Sequence, residues 1–534
     1  MDEASKISDD KDGETSNAMN FGLNRRSVLK SVGAAGAIGL VSSQGSAQGS
    51  SDDDSFELVE TSVPDIHAAF VSGATTAQEV VEQYLDRIEE YDDEINALIT
   101  TNPEAVSRAK QLDAKFEESG LTGTLHGIPV ILKDNQDTGD LPTTGGSKAL
   151  ENSTPPDDAY VVQQVRDAGG IVLAKANLHE LAAGGTTVSS LEGQTLNPYA
   201  LNRTPGGSSG GTGASIAANL GTVGFGTDTV NSIRSPASAC NLVGLRPTRG
   251  LVSRDGTIPS ALTHDMVGPI TRTVTDAAFV LDTIVGYDPS DPVTARSDGE
   301  IPDTYTDYLN ETGLRDAQLG VLRSVFGDSE PVLDVANTAV ADMEELGATT
   351  IELDESIDVN ELIDLFYVGS ETQIQINEYF DSIGPDAPVD SLEEFVATGQ
   401  YDPSIEEGLK SDLKVEDPTD NPEYFEMLYR RSEFIDRLYT IMADNELDAL
   451  VFPHQKQLVA EVGEPQLGRN GFLASGTGFS SMAVPAGFSP DGVPVGMEFF
   501  CRPFDEPLLF NLAYSYEQGT QGRHPPEGFG SIDD

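Results

Sequence analysis

The sequence predicts an α/β fold in one large domain, and three observations predict it. Short apolar runs bearing Ile and Val stand at residues 128–132, 171–174, 449–452 and 495–500, with the length and composition of buried strands. A helical stretch over 160–168 stops at Gly169-Gly170 and feeds directly into the run at 171, the helix-then-strand rhythm of layered α/β proteins. No internal repeat and no second linker follows residue 55, which leaves 56–534 as a single unit.

The elements follow in order. Residues 1–47 read as a leader rather than fold: Asn24-Arg25-Arg26-Ser27-Val28-Leu29-Lys30 resembles a twin-arginine export signal, a short Gly/Ala-rich apolar run spans 31–41, and the small residues Gly45-Ser46-Ala47 close it. That run is too short to span a bilayer, and no cysteine lies nearby to carry a lipid anchor. The expectation is an exported protein without a stable membrane anchor. Residues 48–55 form an acidic linker. Thr76 with Glu79 makes a capping box, and Val80, Val81, Tyr84, Leu85 and Ile88 share one helical face. A second helix follows Pro103 and stops at Gly120, and the strand at 128–132 ends abruptly in Lys133-Asp134-Asn135. Residues 214–220 read as helix, 222–226 as a short strand, and Thr273 with Asp276 opens a further helix. Residues 300–446 are helix-rich and acidic, and their aromatics, Phe366, Tyr367, Tyr379, Phe380, Tyr424, Phe425 and Tyr429, are expected in the core. The turn Ser489-Pro490-Asp491-Gly492 introduces the last strand.

Charge excludes whole classes of partner. With 31 basic and 89 acidic residues the chain carries a net charge of −58, so it repels nucleic acid and anionic membranes. The acids are spread through segments with apolar periodicity, which indicates a folded protein with a carboxylated surface suited to high salt, where self-repulsion is screened. Cys240 and Cys501 are the only cysteines; export permits a disulfide, whereas their apolar settings suit buried free thiols. Neither has His or Cys at metal-ligand spacing.

Pro205-Gly206-Gly207-Ser208-Ser209-Gly210-Gly211-Thr212-Gly213 is the most unusual stretch. It lacks the Gly-Lys-Ser/Thr of a phosphate loop. It contains G-x-S-x-G twice, around Ser208 and around Ser209, but a nucleophile elbow needs a strand directly before it, and residues 197–205 are turn-like. A linker is equally poor, because apolar helix and strand resume at once. A second serine-bearing turn lies further on, in Gly226-Thr227-Asp228-Thr229-Val230-Asn231-Ser232-Ile233-Arg234-Ser235-Pro236. The strand before it sets Ser232 on a connection whose successive N–H groups are available to an oxyanion.

Together with Gly127-Ile128-Pro129-Val130-Ile131-Leu132-Lys133-Asp134-Asn135, these two turns resemble the amidase signature family. The resemblance covers residues 56–272 and returns in Val484-Pro485-Ala486-Gly487-Phe488 and Asp491-Gly492-Val493-Pro494-Val495-Gly496. It implies a central mixed β-sheet covered by helices, with 300–446 as a variable helical region. It also implies hydrolysis of a carboxamide C–N bond in a small-molecule amide, without metal or organic cofactor, by a Ser-Ser-Lys triad. Ser232 is then the nucleophile, Ser208 the bridging serine after a cis Gly207-Ser208 peptide, and Lys133 the base. The family's amidotransferases work with RNA and partner subunits, which the export signal argues against.

The chemistry of the residues is consistent with those roles. Lysine serves as a base only when neutral, and Lys133 follows five apolar residues, where desolvation lowers its pKa from about 10.4. Lys175, after residues 171–174, is the rival base but lacks the Asp-Asn continuation. The family's Thr-Gly-Gly-Ser turn is Thr229-Val230-Asn231-Ser232 here; either Val230 sits at negative φ or the oxyanion hole of residues 229–232 is altered. Asp228 and Arg234 flank the turn, as a pair that holds it or as a surface ion pair. Two other functions compete: an esterase of the α/β-hydrolase type, using Ser208 or Ser209 with a histidine from among His126, His179 and His264, and an inactive exported binding protein of the same fold.

Overall fold

Every side chain of the strand Pro129–Lys133 is buried, so its apolar residues read as a continuous run, as expected of a strand covered on both faces. A computed structural model describes residues 56–353, 357, 361 and 371–532. The leader and linker at residues 1–55, and Phe366 and Tyr367, lie outside the described residues.

Eleven strands form one mixed sheet. They are β1 (Leu98–Thr101), β2 (Pro129–Lys133), β3 (Ile171–Ala176), β4 (Val223–Asp228), β5 (Val243–Arg246), β6 (Met266–Thr271), β7 (Gln318–Val321), β8 (Thr349–Glu352), β9 (Ala449–Pro453), β10 (Ser480–Phe488) and β11 (Pro494–Cys501). Their spatial order is β1-β3-β2-β4-β6-β5-β10-β11-β9-β7-β8. Parallel pairing joins β2 to both β3 and β4, and antiparallel pairing joins β4 to β6. A buried apolar cluster runs the length of the sheet, from Val130 and Phe225 to Val451 and Phe499, with helices packed over it. Cys240 and Cys501 are free and buried.

Local signals act where the sequence places them. Thr76 caps Ala77–Ile95 with the reciprocal Glu79 bond of a capping box, and Thr273 caps Val274–Ile284. The helix expected at 214–220 instead spans Gly210–Ala217 and begins inside the glycine-rich stretch. Close approach explains this: a Cβ on Gly211 would lie 2.2 Å from Asn177 O and 2.5 Å from Ala97 O, so only glycine lets the helix seat there.

Residues 300–446 are more than a helical insertion. They contribute β7 and β8, and β7 pairs in parallel with both β8 and β9. Beyond residue 371 the region is helical and forms a second core, in which Ile376, Phe380, Leu392 and Phe395 pack with Leu181 and Ile258 of the main unit. Tyr379 and Phe380 are buried, as expected, but Phe425 and Tyr429 are 53% and 65% exposed. The helix Pro422–Asp444 buries a stripe of Met427, Phe434, Leu438 and Met442, and both exposed aromatics lie off that stripe.

Candidate active site

Lys133 is the last residue of β2, where the strand delivers its side chain into the protein with no exposed surface. Its ammonium donates to Ser208 Oγ at 2.7 Å and to Thr227 Oγ1 at 2.7 Å. Asn135 Nδ2 also donates to Thr227, at 3.1 Å. Burial pushes the pKa of the Lys133 ammonium down to about 7, against the opposing pull of Asp228 and Asp265.

The Gly207-Ser208 peptide is cis. The Ser208 carbonyl accepts from the His179 N–H at 2.9 Å. A Cβ on Gly207 would come within 2.8 Å of the Gly185 carbonyl carbon, so glycine is needed for this loop to close on residues 185–187. Ser209 bonds to the turn that carries Ser232: its N–H donates to Ser232 O at 3.2 Å, and its hydroxyl to Thr227 O at 3.2 Å. The glycine-rich stretch and the turn after β4 are thereby clamped together.

That turn is held from inside. Arg234 donates to Asp228 from Nε at 3.1 Å and from Nη2 at 3.2 Å, and to Val230 O at 2.7 Å and Gly471 O at 3.1 Å. Its Nη1 meets Glu498 Oε2 at 2.8 Å. Arg246 Nη1 donates at 2.8 Å to Asp228 Oδ1, which Arg234 Nη2 also reaches, and Glu498 also faces His454 at 2.5 Å and accepts from Ser481. Asp228, Arg234 and Glu498 are fully buried, which excludes a surface ion pair. Burial alone would raise the Asp228 carboxyl, yet Arg234 and Arg246 hold it well below the usual carboxylate range.

Neither Val230 nor Asn231 is at positive φ, so the side chains at these two positions fit the turn without left-handed backbone. Among the described residues, the N–H groups of Val230, Asn231 and Ser232 have no hydrogen-bond acceptor. Thr229 Oγ1 donates to Asp265 at 2.6 Å, and the same carboxylate accepts from Ser260 N at 2.8 Å and Ala261 N at 2.9 Å. A narrow cleft opens here, lined by Thr227, Thr229, Ile258, Leu262 and Met266 among others. Its wall, residues 260–263, is gripped from the helical region: Glu371 and Gln375 accept from Thr263 N and Leu262 N, and Thr372 donates to Ser260 O.

The side chains of the rival residues are bonded to other groups. Lys175 is ion-paired with Asp134 at 3.0 Å and also donates to Thr143 and to the Pro142 carbonyl. His126 bonds to Thr122, His179 to Thr186 and Ser404, and His264 to Ser475 O. No strand precedes Ser208 between residues 195 and 207, so the elbow context is missing. Thr227, Asp265, Arg246, Glu498 and His454 join the site without having been expected there. Thr227 sits inside one of the serine-turn motifs, and the others carry no local signal, because their partners lie far away in the chain.

Comparison with known proteins places this geometry in context. The Amidase family model matches residues 79–510. The chain is 35% identical over 484 residues to a glutamyl-tRNA(Gln) amidotransferase subunit from Gloeothece citriformis, covering 87% of this chain and 99% of that protein. It is 34% identical to a probable amidase of Arabidopsis thaliana, covering 91% and 95%. Its fold is similar to peptide amidase from Stenotrophomonas maltophilia, with a TM-score of 0.79, 33% identity, and coverage of 88% and 99%.

Proposed function

Since this chain belongs to the amidase signature family, we propose that it is an exported amidohydrolase that cleaves a carboxamide through an acyl-enzyme on Ser232. The observation that carries the reading is the bond from Lys133 to Ser208 at 2.7 Å, made in a fully buried setting beside a serine turn with free N–H groups.

In the proposed cycle Ser232 Oγ attacks the carbonyl carbon as its proton passes through the Ser208 hydroxyl to neutral Lys133. The N–H groups of the turn 229–232 receive the oxyanion. Collapse breaks the C–N bond, and the leaving nitrogen takes the proton back from Lys133 through Ser208. Water then attacks the acyl-enzyme by the same route, releasing the carboxylate and restoring Ser232. The paired Asp228 and Arg234 hold the turn, while Gly207 and Ser209 hold Ser208 against it.

Incubation with a panel of activated amides, followed by peptide mapping in a mass spectrometer, tests this. The acyl group is expected on Ser232; a label on Ser208 or Ser209 would favour the esterase reading, and no label on any serine the inactive binding protein. Export rests on the leader at 1–47, and sequencing the N-terminus of protein recovered from the medium tests it. A second reading, as one component of an amidotransferase, is favoured by the identity to such relatives. The net charge of −58 opposes approach to tRNA. Amide hydrolysis by the isolated chain with no change on adding tRNA separates the two.

A further inference from the structure

Arginine buried in this chain comes with partners, as a cation removed from water requires. Arg234, Arg246, Arg254 and Arg523 each face a carboxylate. Arg87 and Arg272 direct their N–H groups to main-chain carbonyls. Arg469, half-buried beside the active site, is an exception. Among the described residues its guanidinium has no hydrogen-bond acceptor and no ion-pair partner, and burial lowers its pKa with no carboxylate to offset it. Arg249 also lacks a bonded partner, and burial with Arg254, Arg431 and Arg296 pushes its pKa down to about 10 against the weaker pull of Glu371; unlike Arg469, it does not lie against the Ser208 loop.

The position of Arg469 follows from two glycines. A Cβ built on Gly185 would come within 2.8 Å of Arg469 Nη1, so the guanidinium lies against the bare backbone at Gly185, and Gly185 in turn packs on Gly207. Two residues after Arg469, Gly471 packs on the other serine turn, where an added Cβ would meet Asn231 Cβ at 2.3 Å and Val230 O at 2.5 Å. The Asn231 carboxamide, fully buried, has no partner for either Oδ1 or Nδ2 among the described residues. Arg469 therefore belongs to a segment wedged between the Ser208 loop and the Ser232 turn, and it is not among the residues that line the cleft toward 257–267. Its field reaches the site: after burial, and against Asp402, Arg469 and Lys133 both help push the His179 imidazole down to about 4.

We propose that Arg469 is the recognition point for a carboxylate carried by the amide substrate, on a part of the molecule outside that cleft. This rests on the amidohydrolase reading above. The class is a carboxylate because a planar, half-buried guanidinium with free N–H groups binds one in bidentate fashion. Surface carboxylates elsewhere repel such a substrate, whereas this guanidinium, lying against Gly185 beside the Ser208 loop, offers its charge a favourable seat. Its partial burial also makes the contact less open to screening by salt than a fully exposed pair.

Two matched pairs of probes separate the possible places of the carboxylate: succinamate against butyramide carries it on the acyl side, and N-butyrylglycine against N-ethylbutyramide on the leaving side. At one fixed salt concentration, wild-type kcat/KM should favour the charged member of one pair by about tenfold, the scale of a charge-assisted bond. Arg469→Gln should bring that ratio close to one, and Arg469→Lys should restore part of it. A ratio unchanged in Arg469→Gln overturns the proposal. Calorimetric titration of Ser232→Ala, with and without Arg469→Gln, by the two anionic amides reads binding apart from turnover. Binding lost only in the double variant, with no hydrolysis by wild type, would uphold the carboxylate site while sinking the hydrolase reading. Equal binding in both variants, or none in either, overturns the site.

Discussion

The Lys133 ammonium and the Ser208 hydroxyl lie 2.7 Å apart with no solvent at either. In the proposed cycle these two groups act as one proton relay, so their removal should not be additive. Ser232→Ala should abolish acylation in a folded protein. Ser208→Ala and Lys133→Ala should each slow it by roughly a hundred- to ten-thousandfold, and the double variant should lose much less than the product of the two. Acylation rates from quenched-flow mass spectrometry check this; multiplicative losses would separate the two residues.

The pH profile follows from the lysine. Its pKa is lowered to about 7, so the neutral base is present above that value and lost by protonation below it. The kcat/KM of an uncharged amide should therefore rise with pH through an acid limb near 7. Asp265 pulls the lysine upward, so Asp265→Asn should move the limb to lower pH. A limb that stays in place would remove Lys133 from the titration.

The Asp228–Arg234–Glu498 network makes a structural prediction. Removing one partner of a buried ion pair costs about 3–5 kcal/mol, so Glu498→Ala should lower the melting temperature markedly. Arg234→Lys keeps the charge but loses the fork that reaches Asp228 and Val230 O together. It should impair acylation more than stability; denaturant melts beside kinetics distinguish the two.

Leu262 lines the cleft on a wall held by Glu371 and Gln375. Leu262→Ala should shift relative rates toward longer acyl groups by about tenfold, the scale of a few methylenes in a pocket. Rates across straight-chain amides that keep their order would remove this wall from acyl selection.

The net charge of −58 makes stability depend on salt. Unscreened carboxylates repel over a Debye length of about 30 Å at 0.01 M, so the melting temperature should fall as salt is withdrawn. An unchanged value between molar and 0.01 M salt would contradict it.

Much of the site is legible in the chain because it is built from local turns. Lys133 ends an apolar run, Ser208 sits among glycines, and Ser232 follows a strand, so each can be placed by its neighbours. The departure at Val230 and Asn231 is legible as a choice between two outcomes, and the backbone takes the negative-φ one. What stays hidden depends on long-range pairing. Glu498 meets Arg234 only because β11 lies two strands from β5, and β7 and β8 read as part of a helical region because strands of four residues carry little periodicity.

The strand order carries a consequence for the making of the protein. β5 has β10 as its neighbour on one side, and β10 is synthesised more than 230 residues later. While the ribosome is still at work, that edge of the first half stands open, and Arg234 waits for Glu498. A nascent or truncated chain ending before β11 can hold Lys133, Ser208 and Ser232 in sequence yet lacks Glu498, one of the two carboxylates that hold Arg234. The full brace of the serine turn therefore closes only late in synthesis, and until then the open edge is a site for wrong pairing and aggregation.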